Sequence, residues 1–273
     1  MAILSSITDS TAVKLLYGRA YLEPTSFEIY GAFVTNDQIL LPNPALAPEV
    51  LNAFEIVLTQ NIGKYLQLTT GAFVNLIDQI IQASSWQRQY VYVQAEDGRL
   101  RQHRLLQSVN SGDGLFVGSE TQALFSAGMF RSYLSFSWVD GKTHKINAAG
   151  DIAESTPHGL STFGVKAGLN VAPLEGLDLD VRATFQDAPF ISFSRRQVPY
   201  AKEGESFFLL DASVRYQMKD LWKQGHHLTA FIKGSNLTDA RYKLQSGRPS
   251  VNPIGSPQPS LEILGGLEVE LGL

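Results

Sequence analysis

The sequence contains no cysteine, which excludes a disulfide scaffold, a thiolate metal centre and a cysteine nucleophile together. It is also poor in charge. Asp, Glu, Lys and Arg make up 18% of its 273 residues, below the roughly 25% of an ordinary soluble domain. Yet 44% of the residues are hydrophobic, too many for a disordered chain. No stretch reaches the ~18 consecutive apolar residues of a membrane helix. Helical membrane proteins are therefore excluded, whereas a β-barrel, whose signal is spread over many short strands, is not. With 22 basic against 26 acidic residues and a net charge of −4, there is no basic footprint for nucleic acid. The opening residues Met1-Ala2-Ile3-Leu4-Ser5-Ser6 lack the basic region and apolar length of a secretory signal. The expectation is a chain that stays inside the cell or begins midway through a larger protein.

What the sequence does have is alternation with period two. Leu177, Leu179, Val181, Ala183 and Phe185 oppose Asp178, Asp180, Arg182, Thr184 and Gln186. The same rhythm places Val165, Ala167, Leu169 and Val171 against Lys166 and Asn170, and Phe208, Leu210, Ala212 and Val214 against Asp211, Ser213 and Arg215. It recurs in Leu228, Ala230 and Ile232, and in Ile263, Leu267, Val269 and Leu271 against Glu262, Glu268 and Glu270. Less regular segments lie at 13–21, 51–60, 65–76, 115–125 and 131–139. The sum is about ten strands of about ten residues, each spanning roughly 25 Å when tilted by ~40°, the height of the apolar band of an outer-membrane barrel.

The connections alternate between short and long. Short ones fall near 61–64, 127–130, 172–176 and 217–225, and long ones near 22–50, 78–113, 140–158, 190–205 and 243–259. In a meander every second connection lies on the same side, so all the long loops share one side. Both chain ends are then expected on the short-turn side. Tyr90 to Val93 with His103 to Gln107 reads as a hairpin inside a long loop. A soluble β-sandwich would explain the alternation but not strand length together with loop parity. The fold class expected is all-β, an antiparallel up-and-down transmembrane β-barrel of about ten strands over residues 1–273.

Within that frame the charged face lines a lumen, with Arg182 and Lys166 neutralising Asp178 and Asp180. Aromatic residues near strand ends, Tyr133 and Trp138, Phe185 and Phe190, Phe207 and Tyr216, Phe231 and Tyr242, are candidates for an interfacial girdle. Of the histidines His103, His144, His158, His226 and His227, none has the paired spacing of a zinc hydrolase, and no phosphate-binding or dinucleotide loop occurs. No catalytic residue, metal site or cofactor is expected. A membrane protease or acyltransferase would have to use His144 or His158 at the rim. Arg195 and Arg196, in a long loop, are the candidates for contact with an anionic ligand or lipopolysaccharide.

Four segments together resemble one family. Lys14-Leu15-Leu16-Tyr17-Gly18-Arg19-Ala20-Tyr21 followed by Pro24-Thr25-Ser26-Phe27-Glu28 is similar to a strand and loop start in the C-terminal barrel region of TonB-dependent receptors. Asn43-Pro44-Ala45-Leu46-Ala47-Pro48-Glu49 with Glu55, then Gly118-Ser119-Glu120 within 115–123, then Asn236-Leu237-Thr238-Asp239-Ala240-Arg241-Tyr242, follow in that family's order. Gly266, Val269 and Leu271 resemble the last-strand signal read by the outer-membrane assembly machinery. They depart from it in using aliphatic residues for aromatic ones and in lacking a terminal Phe.

The resemblance implies a 22-stranded barrel of which this chain is the C-terminal part, located in the cell outer membrane, with no plug domain and no enzymatic activity. Its implied partners are outer-membrane lipid, the missing N-terminal barrel and plug segment, TonB only through that segment, and an extracellular nutrient such as a ferric siderophore, cobalamin, haem or a glycan. The alternative is a stand-alone small barrel acting as a passive pore or structural protein.

Overall fold

In the computed structural model the period-two segments pair as neighbours, because each strand with one apolar and one polar face gains most beside a strand patterned alike. Described are residues 1–34, 38–84, 90–94, 98–146, 152–157, 159–190, 204–220, 225–244 and 255–271. In chain order the elements are β1 (Ala2–Thr8), β2 (Thr11–Leu22), α1 (Ser26–Tyr30), β3 (Phe33–Val34), β4 (Gln38–Leu41), β5 (Glu49–Ile62), β6 (Leu66–Asp78), β7 (Ile81–Ser84), β8 (Tyr90–Gln94) and β9 (Leu100–Asn110). They continue with β10 (Gly112–Ala127), β11 (Phe130–Ile146), β12 (Ile152–Ser155), β13 (Phe163–Leu174), β14 (Leu177–Gln186), β15 (Phe207–Met218), β16 (His227–Ser235), β17 (Lys243–Leu244), β18 (Ser256–Pro257) and β19 (Glu262–Glu270).

Eleven of these form an antiparallel meander in the order β1-β2-β5-β6-β10-β11-β13-β14-β15-β16-β19, with β12 laid beside β11. The expected count of about ten is met, and β1 is the addition. Its alternation was illegible because Ile3, Ser5 and Ile7 face one way and Ala2, Leu4 and Ser6 the other, so neither face is cleanly apolar. The extra strand also corrects the position of the chain start. Met1 exchanges backbone hydrogen bonds with Tyr17 at 2.8 and 2.9 Å, partway up β2 and not on the short-turn side. Tight turns include Gly128-Met129 and Glu175-Gly176, whose glycines take φ 55° and 81°, the left-handed backbone that two-residue hairpins require.

The register shows the strand tilt directly. One row of cross-strand partners runs Ile62, Leu66, Phe125, Ser132, Leu169, Val181, Ala212, Gly234 and Ile263. It starts at the turn end of β5 and finishes at the loop end of β19, a slide of roughly one residue per strand, which is the stagger of a tilted barrel wall. The sheet is a wall and does not close among the described residues: β1 and β19 each have one pairing edge free.

No hydrophobic residue among those described is buried. The accessible surface is 17941 Å², about one and a half times the roughly 11,700 Å² that size scaling gives a compact monomer of 30.0 kDa. The apolar side chains instead form one face, with Leu15, Phe54, Ile56, Leu134, Val181, Val214 and Ile263 all exposed. Backbone ladders hold such a sheet together, and its apolar face demands an apolar solvent.

Two corrections concern the aromatic residues and the charges. Trp138, Phe185 and Tyr216 lie on the apolar face, but Tyr133 and Phe231 have the opposite parity. A Cβ on Gly168 would overlap the Tyr133 ring, and one on Gly266 would come within 2.7 Å of Phe231. These two rings cover bare glycine backbone on the polar face. Phe207 is likewise on that face, its ring stacked 4.2 Å from that of Tyr242. Arg182 does pair with Asp180 at 2.7 Å, whereas Lys166 stands opposite Ser135 and Thr184.

Candidate functional site

The long-loop side carries a built cap. The segments joining β2 to β5 and β6 to β10 fold together into a five-stranded sheet, β3-β4-β9-β7 with β8 on β9, in which β4 and β9 run parallel. The hairpin expected inside this loop is present, Tyr90 pairing with Arg104 and Gln94 with Leu100.

Family-like motifs supply its joints. Thr25 caps α1: its hydroxyl accepts from the Glu28 N–H at 3.2 Å, and the Glu28 carboxylate accepts from the Thr25 N–H at 2.9 Å, a reciprocal capping box. Asn43 Nδ2 donates to the Ser108 carbonyl at 2.8 Å. Glu49 Oε1 accepts from the Ile81 N–H at 2.6 Å. Asn110 and Gln107 complete the tie from the other side. Asn110 Nδ2 donates to the carbonyls of Ala47 and Gln79, each at 2.8 Å, and Gln107 Nε2 donates to that of Pro42 at 2.8 Å. Sequence reasoning missed both, because their partners lie as far as 65 residues away and no local pattern announces them.

A second joint is the corner after β16, where 236–242 forms a turn and not strand. Asn236, 6% exposed, has φ 51°. Its Nδ2 donates to the carbonyls of Ala240 and Pro259 at 3.0 and 3.1 Å, and its Oδ1 accepts from the Ala240 N–H at 2.9 Å. The Asn236 N–H itself donates to Asp211 Oδ1 at 2.8 Å. Asp239 accepts from the Leu261 N–H and from Arg241, which hold its carboxyl below the usual carboxylate range, the backbone hydrogen bond contributing most.

On the polar face a recess of about 390 Å³ opens over β5, β6, β10 and β11, with Glu55, Glu120, Gln122, Lys166 and Gln186 around it. Gly71 lies between Val57 and Glu120 in register and leaves the middle of the recess bare. Glu55 and Glu120, one from each of two family-like motifs, have no ion-pair partner among the described residues. The recess therefore offers carboxylates to a cationic surface.

At the rim, His144 on β11 contacts Asp113 Oδ1 through Nδ1 at 2.6 Å and faces Glu154 Oε2 through Nε2 at 3.5 Å, while Lys142 pairs with Glu154 at 2.8 Å. The Asp113 hydrogen bond raises the His144 pKa above its ordinary 6.5, with Glu154 adding to it. Both ring nitrogens face carboxylates, which is the geometry of an ion-pair bridge between β10, β11 and β12. A nucleophile-activating histidine would need a hydroxyl at one of them. His158, Arg195 and Arg196 lie outside the described residues. Gly266, Val269 and Leu271 stand on or just beyond β19, Gly266 under Phe231 and the other two exposed on the apolar face.

The sequence pattern of the family described as "TonB dependent receptor-like, beta-barrel" matches residues 3–237. No curated protein matches the sequence. Among solved structures, the siderophore receptor PirA from Acinetobacter baumannii superposes with a TM-score of 0.72 at 15% identity, covering 99% of this chain and 40% of that one. The ferric enterobactin receptor PfeA from Pseudomonas aeruginosa, as its G324V mutant, gives 0.71 at 13% identity over 99% and 39%. The copper transporter OprC gives 0.61 at 16% identity over 98% and 38%. This chain thus spans about 40% of the length of those proteins, and identities of this size speak for the fold alone. The match over 3–237, with the tilted meander and its motif-built joints, leads to one conclusion: the chain belongs to the TonB-dependent receptor-like β-barrel family.

Proposed function

We propose that residues 1–273 are the C-terminal barrel portion of an outer-membrane receptor that takes up a scarce nutrient, a ferric siderophore, cobalamin, haem or glycan. The observation that carries this reading is a tilted sheet with an uncovered apolar face and no buried hydrophobic residue among those described. Such a sheet is stable where lipid covers one face and water or a plug the other. The cap would meet the ligand on the cell exterior, with Arg195 and Arg196 as loop candidates. The plug, reached by TonB, would rest its basic groups against Glu55 and Glu120. The solved relatives, named for siderophore, ferric enterobactin and copper, favour a metal or metal chelate among the nutrients. Gly266, Val269 and Leu271 would be read during membrane insertion. The family's role is reception and transport, and catalysis forms no part of the proposal.

Strand direction bears on the stand-alone barrel. With eleven strands in the meander, β1 and β19 both run from the long-loop side to the short-turn side. Pairing them with each other, or with a second copy arranged around a shared axis, would make a parallel seam, whereas bacterial single-chain barrels have even numbers of antiparallel strands. An odd-stranded complement closes the wall with antiparallel seams throughout. Beside β19 that complement would meet Glu262 and Glu270, which have no ion-pair partner among the described residues, and so would carry Lys or Arg there.

The test is heat-modifiable migration in detergent. The chain alone is expected to show none, and the chain produced with the plug and remaining strands to show it and to bind a ferric siderophore. A heat-modifiable, pore-forming species from the chain alone would refute the proposal in favour of the stand-alone barrel.

A further inference from the structure

On the apolar face, where β1, β2, β5 and β6 lie side by side, there is a groove of about 410 Å³ lined by Ile3, Leu15, Tyr17, Phe54, Ile56 and Val74. All six are exposed, and Ala72 contributes only a methyl group at its base. Toward the long-loop side the same face turns polar within two residues. Arg19 stands directly opposite Asn52 in the β2–β5 register. The Tyr17 hydroxyl donates to Asn52 Oδ1 at 3.0 Å, which leaves the two Nδ2 protons of Asn52 without a partner among the described residues. The Arg19 guanidinium lies 5.3 Å over the Tyr21 ring, and no described carboxylate pairs with it. Asp78, the acid that β6 carries on this face, is separated from Arg19 by the whole of β5.

Elsewhere on this face the pattern differs. On β11 the apolar run ends at Trp138, and the cation above it, Lys142, is already bound to Glu154 at 2.8 Å. The β2–β5 position is therefore distinguished by an unneutralised cation directly above an apolar groove. That combination has the outline of a lipid: acyl chain below, anionic headgroup above. A carboxylate headgroup would satisfy one edge of the guanidinium, whereas a phosphate can accept from Arg19 and from Asn52 Nδ2 together. A free anion would leave the groove unexplained.

We propose that this is a binding site for a phosphate-bearing lipid of the leaflet on the long-loop side, with one acyl chain in the groove and the phosphate on Arg19 and Asn52. The proposal rests on the reading that the sheet is an outer-membrane wall.

The test uses the assembled receptor, purified in detergent and examined by native mass spectrometry with diphosphoryl lipid A, diacylglycerol and inorganic phosphate as probes. Arg19→Glu is expected to lower diphosphoryl lipid A occupancy about tenfold, the size of one charge-assisted hydrogen bond, and to leave diacylglycerol occupancy unchanged. Ala72→Phe fills the groove and lowers occupancy by both lipids. Arg131→Glu, on the polar face of β11, serves as the control and changes neither. Undiminished lipid A occupancy in Arg19→Glu overturns the headgroup assignment, and complete displacement of lipid A by inorganic phosphate overturns the lipid in favour of a free anion. Heat-modifiable migration separates the two readings. Normal migration with unaltered lipid occupancy refutes the lipid site alone, whereas loss of migration in the unsubstituted protein refutes the membrane wall.

Discussion

Replacing Asn236 by Ala should unpick the corner that ties the loop after β16 to the wall. The Asn236 side chain serves three backbone groups, the N–H and carbonyl of Ala240 and the carbonyl of Pro259, at 2.9 to 3.1 Å. At 6% exposure, water has little access to replace it. Each lost bond costs about 1 kcal/mol. The backbone adds a second cost, because φ of 51° is left-handed, and Ala there is strained by about 1 kcal/mol relative to Asn or Gly. The expected loss for Asn236→Ala is therefore about 4 kcal/mol, and Asn236→Gly, which keeps the backbone free, should recover about 1 kcal/mol of it. Urea unfolding of the assembled barrel in lipid vesicles measures the difference. Hydrogen exchange at the Leu237 amide, bonded to the Leu210 carbonyl at 2.7 Å, reports the corner locally. An Asn236→Ala variant within about 0.5 kcal/mol of the parent, or one less stable by the same amount as a surface change, would show that the corner does not hold the loop. A Gly variant worse than Ala would refute the backbone argument.

Two further outcomes follow from the faces and the rim. Val181, mid-strand in β14 on the apolar face, should lose about 2 to 4 kcal/mol as Val181→Lys in vesicles, while Gln122→Lys on the polar face, opposite the uncharged Thr69 and Ser135, stays near neutral; equal losses would mean that the faces are assigned the wrong way round. The rim bridge should depend on pH. Because the Asp113 hydrogen bond and Glu154 raise the folded-state pKa of His144 above 6.5, its contribution is complete below 6.5 and is lost as the pH climbs through the raised value. Amide protection in β12 should fall over that interval and become pH-independent in His144→Gln, and an unchanged profile in that variant would refute the bridge.

The long, cleanly alternating strands were legible because each side chain's face follows from its own position in the pleat. β14 needs only Leu177 to Gln186 to declare itself. β1 was not legible, since Ser5 interrupts the apolar parity and only pairing with β2 makes it a strand. Strand ends are only a partial guide to the aromatic residues: Trp138, Phe185 and Tyr216 do lie on the apolar face, but Tyr133 and Phe231 cover Gly168 and Gly266 on neighbouring strands, and which glycine a ring meets is a matter of register. The motif residues Asn43, Glu49 and Asn236 were visible as a family pattern, but the pattern does not say that they act as joints.

Period, strand length and loop parity by themselves determined that this chain makes a barrel wall, since long strands with one apolar face and all their long connections on one side have few other solutions. Only the tertiary structure decided that the wall has eleven strands with like-directed edges, that two loops merge into one cap, and that Arg19 comes to stand over an apolar groove. Each of these depends on which residues meet across strands and loops, and contacts between residues as far apart as Glu49 and Ile81 leave no trace in local sequence.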